Sequence, residues 1–121
     1  MTISGTQPVS AGNLKAFSDN LKSGGWGVPE TLLAVPISIG TSQFLIPNID
    51  RFSRFWVEGG NTGTVYNICY GYIDAAIDSF STLKSMNGNT CNIFVRNHSG
   101  NTMIECYNSG QKLCRVVGYL K

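Results

Sequence analysis

Apolar and polar residues alternate with a period of two along most of this chain, most clearly from Thr90 onward. Three runs there, Cys91–Arg96, Met103–Tyr107 and Cys114–Leu120, are separated by Asn97-His98-Ser99-Gly100-Asn101 and Asn108-Ser109-Gly110-Gln111-Lys112. Short β-rich runs divided by Asn/Gly/Ser clusters predict antiparallel strands joined by tight loops. Asn and Gly suit those loops because both accept positive φ at low cost.

The same period governs the middle of the chain. Leu33–Ile39 reads as a strand with Pro36 inside it, which favours an edge or a bulge. Gly40-Thr41-Ser42 turns the chain, and Gln43–Ile46 returns. In Arg51–Glu58 the alternation puts Phe55 and Val57 on one face with Ser53, and Trp56 on the other with Arg54. Aromatic content on both faces fits a strand whose outer side also meets protein. Thr64–Ile73 is long and tyrosine-rich, Asp74–Ser79 is a turn or loop, and Ser81–Met86 is a weak strand. Asn87-Gly88 is the strongest hairpin signal. Roughly eight strands without helix-length spacers predict an antiparallel β-sandwich of jelly-roll type.

One segment changes period. From Pro8 to Lys22 the apolar residues Leu14, Phe17 and Leu21 recur three and four apart, which predicts a short N-terminal α-helix. Ser10 is its N-cap, and Val9 and Leu14 have hydrophobic-staple spacing. The stripe is as thin as a coiled-coil seam, so either the chain's own sheet or copies of the same helix must cover it; copies are favoured. Gly24-Gly25 follows as a hinge. The expected organisation is an attachment segment with the helix over residues 1–25 and a β-sandwich over residues 26–121.

Composition narrows the functional classes. Of 121 residues, 42% are hydrophobic and only 13% charged, against about a quarter charged in an average domain. Asn, Ser, Thr and Gly therefore carry the solubility, as on particle surfaces and sugar-binding proteins. The net charge of +2 is scattered, so neither nucleic-acid binding nor a polybasic membrane anchor is expected. No run approaches the ~18 apolar residues of a membrane span. The first residues lack the basic and apolar runs of a signal peptide, so synthesis in the cytoplasm is expected.

Catalytic and metal chemistry find little to stand on. The four cysteines, Cys69, Cys91, Cys106 and Cys114, form no C-x-x-C pair and fall in predicted strands. Buried free thiols are favoured over a disulfide or a metal site. The single histidine, His98, sits in a polar loop, and Asp74 and Asp78 are the only paired carboxylates at helical spacing. No enzyme, cofactor or metal ligand set is expected. Candidate surfaces are aromatic instead. Tyr66, Tyr70 and Tyr72 share one strand face, and Trp26 sits among glycines. Together with Trp56 they are candidates for a subunit interface or a glycan surface, because a tyrosine ring and hydroxyl serve an apolar and a wet side together. For the tyrosines interface or core is favoured; for Trp26 a plug at the end of the β core is at least as well supported as a ligand platform.

The run Pro8-Val9-Ser10-Ala11-Gly12-Asn13-Leu14-Lys15, followed by a short helix, Gly24-Gly25 and a small all-β module, resembles accessory virion proteins of tailed bacteriophages. These are head fibres, decoration proteins and tail-fibre tips. The resemblance implies a structural protein of the virion surface, a homotrimer attached to a capsid or tail protein by its N-terminal segment, with a β-sandwich facing outward. Pro8, Val9, Leu14, Phe17 and Leu21 would then be attachment or trimer residues. The alternative is a carbohydrate-binding module that recognises a host surface glycan.

Overall fold

The computed structural model describes residues 15–17, 19, 20, 24–48, 50–61 and 67–121. Eight antiparallel strands make one sheet: β1 (Pro29–Ala34), β2 (Gln43–Ile46), β3 (Phe52–Gly60), β4 (Cys69–Asp74), β5 (Phe80–Lys84), β6 (Thr90–His98), β7 (Asn101–Cys106) and β8 (Lys112–Leu120). Their order in space is β1-β8-β3-β4-β5-β6-β7-β2. The protein is mainly β, and the sheet is barrel-like and nearly closed.

Closure depends on residues 29–46. β1 pairs with β8, and Val35 continues the ladder by donating to the Cys114 carbonyl at 2.9 Å. Pro36, with no N–H to offer, ends the strand, and a 3-10 turn over Ile37–Ile39 follows. The expected strand Leu33–Ile39 is therefore displaced towards the N-terminus, with its second half coiled. Thr41 then exchanges both backbone bonds with Leu113, at 3.0 and 2.6 Å. Gly40 permits that approach, since a Cβ there would run into the Leu113 carbonyl. β2 finally pairs with β7. One segment thus begins on one edge of the sheet and ends on the other.

The strands from β3 to β7 are spatial neighbours in chain order. The expected jelly roll would interleave them as Greek keys. The tight connections win instead: in the β6–β7 loop Ser99 (φ 54°) and Gly100 (φ 85°) both hold the left-handed conformation that a two-residue hairpin requires. The weakest seam is β4–β5, where Tyr70 opposite Lys84 is the one registered pair.

Alternation fills the interior. Cys91, Ile93 and Val95 of β6 point inward with Phe55 and Val57 of β3, Ile73, Leu83, Ile104, Leu113 and Val116. Two bulges in the β3–β8 ladder adjust the phase, besides one in β1 between Thr31 and Leu33. The β3–β8 register shifts between Phe52 and Arg54, so Phe52 enters the core beside Phe55 and Ser53 does not stay in step with it. A second shift at Cys114 brings Leu113 and Val116 inward together.

At the N-terminal side, Lys15–Phe17, Asp19 and Asn20 are helical, with an exposed Lys15–Asp19 ion pair at 2.8 Å one turn apart. Phe17 is 51% exposed, so the barrel does not cover it. Pro8, Val9, Leu14 and Leu21 lie outside the described residues, as does Tyr66.

Candidate functional site

The outer faces of β1, β8, β3 and β4 form a continuous wall. On β3, Arg54, Trp56 and Glu58 point outward because Phe55 and Val57 point in. On β4 the outward set is Tyr70, Tyr72 and Asp74. On β8 the Cys114 bulge sets the phase that turns Arg115, Val117 and Tyr119 outward. The register aligns these in rows: Thr31, Val117, Trp56 and Tyr72 lie across the four strands, and Pro29, Tyr119, Arg54 and Asp74 form the next row.

Trp26 joins this wall from outside the sheet. Gly24 and Gly25 make a turn pinned to β3: Arg54 Nη2 donates to the Gly24 carbonyl at 3.0 Å, and Ser53 Oγ to that of Gly25 at 3.1 Å. Gly25 has φ 85°, and a side chain there would strike the Arg54 guanidinium. The glycines serve as a docking turn as well as a break after the helix. They lay the Trp26 ring edge-on against Tyr72 (4.8 Å) and Tyr119 (5.3 Å), with the Arg54 guanidinium over it at 4.1 Å. Trp26 is therefore a surface residue and does not plug the core.

Trp56 lies 4.9 Å from Tyr72 and 5.8 Å from Tyr70, centroid to centroid. Its indole Nε1 donates to Glu58 Oε2 at 2.8 Å, and Arg115 Nε approaches the same oxygen at 3.7 Å. A carboxylate acceptor restricts the ring to one orientation while its face stays open. Burial, followed by the hydrogen bond with Tyr72, raises the Tyr119 phenol above its ordinary pKa. Between the rings runs an open groove of about 420 Å³, lined by Trp56, Tyr72, Val117, Tyr119 and Arg115, with Pro29 and Thr31 at its β1 side.

Four sequence-selected aromatics, Trp26, Trp56, Tyr70 and Tyr72, thus share one surface. Tyr119 belongs with them, and the signal for it is its spacing of two from Val117 and four from Arg115. The other candidates disperse. His98 ends β6 exposed, and the Asp74 carboxylate accepts from the Ala76 N–H at 2.9 Å, capping a turn. The four cysteines are free, three of them buried and Cys106 half-buried. Among the described residues no three His, Cys, Asp or Glu side chains are grouped to hold a metal, and no helix is long and apolar enough to cross a membrane.

A half-exposed wall of indole and phenol rings with Arg and Glu at its margin suits a flat ligand that is apolar on its faces and hydroxylated at its edges. The rings supply area at low entropic cost, and their polar tips stay wet. Compared with known proteins, the chain matches no family model, no curated protein and no solved structure.

Proposed function

We propose that the barrel is a carbohydrate-binding module whose Trp/Tyr wall recognises a host surface glycan without catalysing a reaction. The observation that carries this reading is the gathering of Trp26, Trp56, Tyr70, Tyr72 and Tyr119 on one outward wall around an open groove. Sugar C–H faces stack on such rings, while Arg115 and the phenol hydroxyls meet the hydroxyl edges. The test is a glycan array with the purified protein and its Trp56→Ala and Tyr72→Ala variants. Selective binding that both variants lose supports the reading; no binding, or binding both variants retain, overturns it.

The second reading sets this module on the surface of a bacteriophage virion, as a trimeric accessory fibre or decoration subunit attached through its N-terminal segment to a capsid or tail protein. Two observations favour a partner surface: the uncovered Phe17 ring, and a second apolar wall where Phe80, Tyr107 and Leu45 stand exposed. Light scattering with the full chain and three-fold density on particles would support the trimer. A monomer at micromolar concentration without three-fold density on particles would count against it. Deleting Met1–Lys22 tests the attachment role: the barrel is expected to stay soluble and to melt cooperatively, yet to be missing from particles. Normal incorporation of the truncated protein would place attachment in the barrel.

A further inference from the structure

One end of the barrel carries a cavity that the wall does not use. It opens where β3 ends at Gly60 and Asn61, where β4, β6 and β8 begin, and it is lined by Asn67, Cys69, Asn89 and Gln111 among others. Its volume of about 440 Å³ lies within the range of small-molecule sites and far above the space one water fills.

Gln111 decides what the cavity can hold. Its side chain is 7% exposed, and Nε2 donates to the Thr90 carbonyl at 2.8 Å. That bond fixes the amide, because the reversed orientation would set oxygen against oxygen. Gln111 lines the cavity, and its Oε1 is then a buried acceptor with no hydrogen-bond partner. Buried acceptors are nearly always satisfied, so this one calls for a donor. The neighbouring acceptor is already in use: Asn67 Oδ1 accepts from Asn87 Nδ2 at 2.9 Å and from Asn89 Nδ2 at 3.2 Å.

The lining also excludes ligand classes. Among the described residues it contains no carboxylate to hold a hard cation. Among the described residues it contains no Lys or Arg to hold an anion, which the Gln111 lone pair would also repel. A purely apolar ligand would leave Oε1 unsatisfied. Amides and a hydroxyl remain: Asn61, Asn67, Asn89, Thr90 and Gln111.

We propose that this mouth is a second binding site, for a neutral hydroxyl-bearing unit such as a single sugar or polyol, whose O–H donates to Gln111 Oε1. The site is separate from the Trp/Tyr wall and stands whether or not the wall binds glycans. Its test is an NMR titration of the ¹⁵N-labelled protein with glycerol, galactose, N-acetylglucosamine and, as an anionic control, sialic acid. At least one neutral probe is expected to shift the side-chain amide signals of Gln111 and Asn89 saturably. Gln111→Met should weaken that binding at least tenfold, and Trp56→Ala should leave it unchanged. The proposal is overturned if no neutral probe shifts these signals, if only sialic acid does, or if Gln111→Met binds as wild type. Loss of the shifts in Trp56→Ala would also overturn it, by assigning the cavity to the wall. Should Gln111→Met fail to fold, nuclear Overhauser contacts between the probe and the Gln111 amide in wild-type protein decide, and their absence overturns it.

Discussion

The two outward walls of this barrel are both aromatic, yet they are built differently. On the β1-β8-β3-β4 side the rings carry polar atoms: the Trp56 indole N–H donates to Glu58, and the phenols of Tyr70, Tyr72 and Tyr119 share the same face. On the β5-β6-β7-β2 side the central rings are phenylalanines. Phe80 packs edge-on against Phe94 at 6.2 Å and Tyr107 at 5.5 Å, and Arg96 covers Phe94 at 4.6 Å. Arg96 is tied down by Glu105, whose side chain also accepts from Gln43 Nε2 at 3.0 Å. The first wall can stay wet while it stacks on a ligand. The second offers mainly phenylalanine and leucine area with the Tyr107 phenol beside it, a surface that suits protein better than sugar. Similar aromatic content thus makes two kinds of surface, and the polar tips make the difference.

Five experiments would break or sharpen this comparison. The largest effect is expected in the core that both walls share. Phe55→Ala removes a fully buried ring and should cost about 3–5 kcal/mol in chemical denaturation. Tryptophan fluorescence reports the first wall and a ¹⁹F label on Phe80 the second; both should lose stability together. Separate transitions would mean that the β4–β5 seam divides the protein into two units.

The next effect is on binding. Trp56→Ala should weaken glycan affinity by about 2 kcal/mol, roughly thirtyfold, as for a central contact residue. Phe80→Ala should leave glycan affinity unchanged and instead loosen any self-association seen by light scattering. The opposite pattern would exchange the roles of the walls. Glu58→Gln tests the indole's anchor: losing the charged acceptor should cost about 1 kcal/mol of affinity with little change in the melting temperature. An unchanged affinity would show that Trp56 is positioned by ring packing alone.

The smallest effect distinguishes the thiols. Interaction between the neighbouring Cys91 and Cys106 thiols lowers the Cys106 pKa and raises that of Cys91, to which burial adds. Cys106 is also the one half-buried cysteine, so iodoacetamide should label it first and Cys91 last, as peptide mapping would show. Full denaturation without reductant should expose four alkylatable thiols. Burial raises Cys69 and Cys114 as well. A thiol raised in the folded state adds stability below its unfolded pKa and loses it as pH climbs through the folded value. Melting temperature should therefore hold steady up to about pH 8 and fall above it. A fall beginning near neutrality would point to another group.

Much of the barrel was legible in the alternation. Among the described residues every run read as a strand overlaps an observed one, although Leu33–Ile39 shares only Leu33 and Ala34 with β1, and Asn87-Gly88 and Ser99-Gly100 sit at turns where glycine takes positive φ. The outward pointing of Trp56, Tyr70 and Tyr72 follows from period two alone. Three features did not follow. Ser53 and Cys114 are bulged, and a bulge is visible only once the opposite strand is in place, so Phe52 was assigned no core role. Strand order was unreadable because hairpins and Greek keys use similar loops. Gln111 looked like a loop residue because burial of an amide depends on what closes over it.

By itself, then, the order of residues determined the local terms: where the backbone extends, where it can reverse, and which side chains face away from the core. Those are nearest-neighbour properties, set by side-chain alternation and by the φ each residue tolerates. Tertiary structure decided which strands became neighbours, and with that everything that needs two distant segments. It brought Trp26 across to Tyr72 and Tyr119, set Glu58 and Arg115 beside Trp56, and formed a cavity lined in part by Gln111. Such contacts depend on register and bulges summed over the whole sheet, and no single run of sequence contains them.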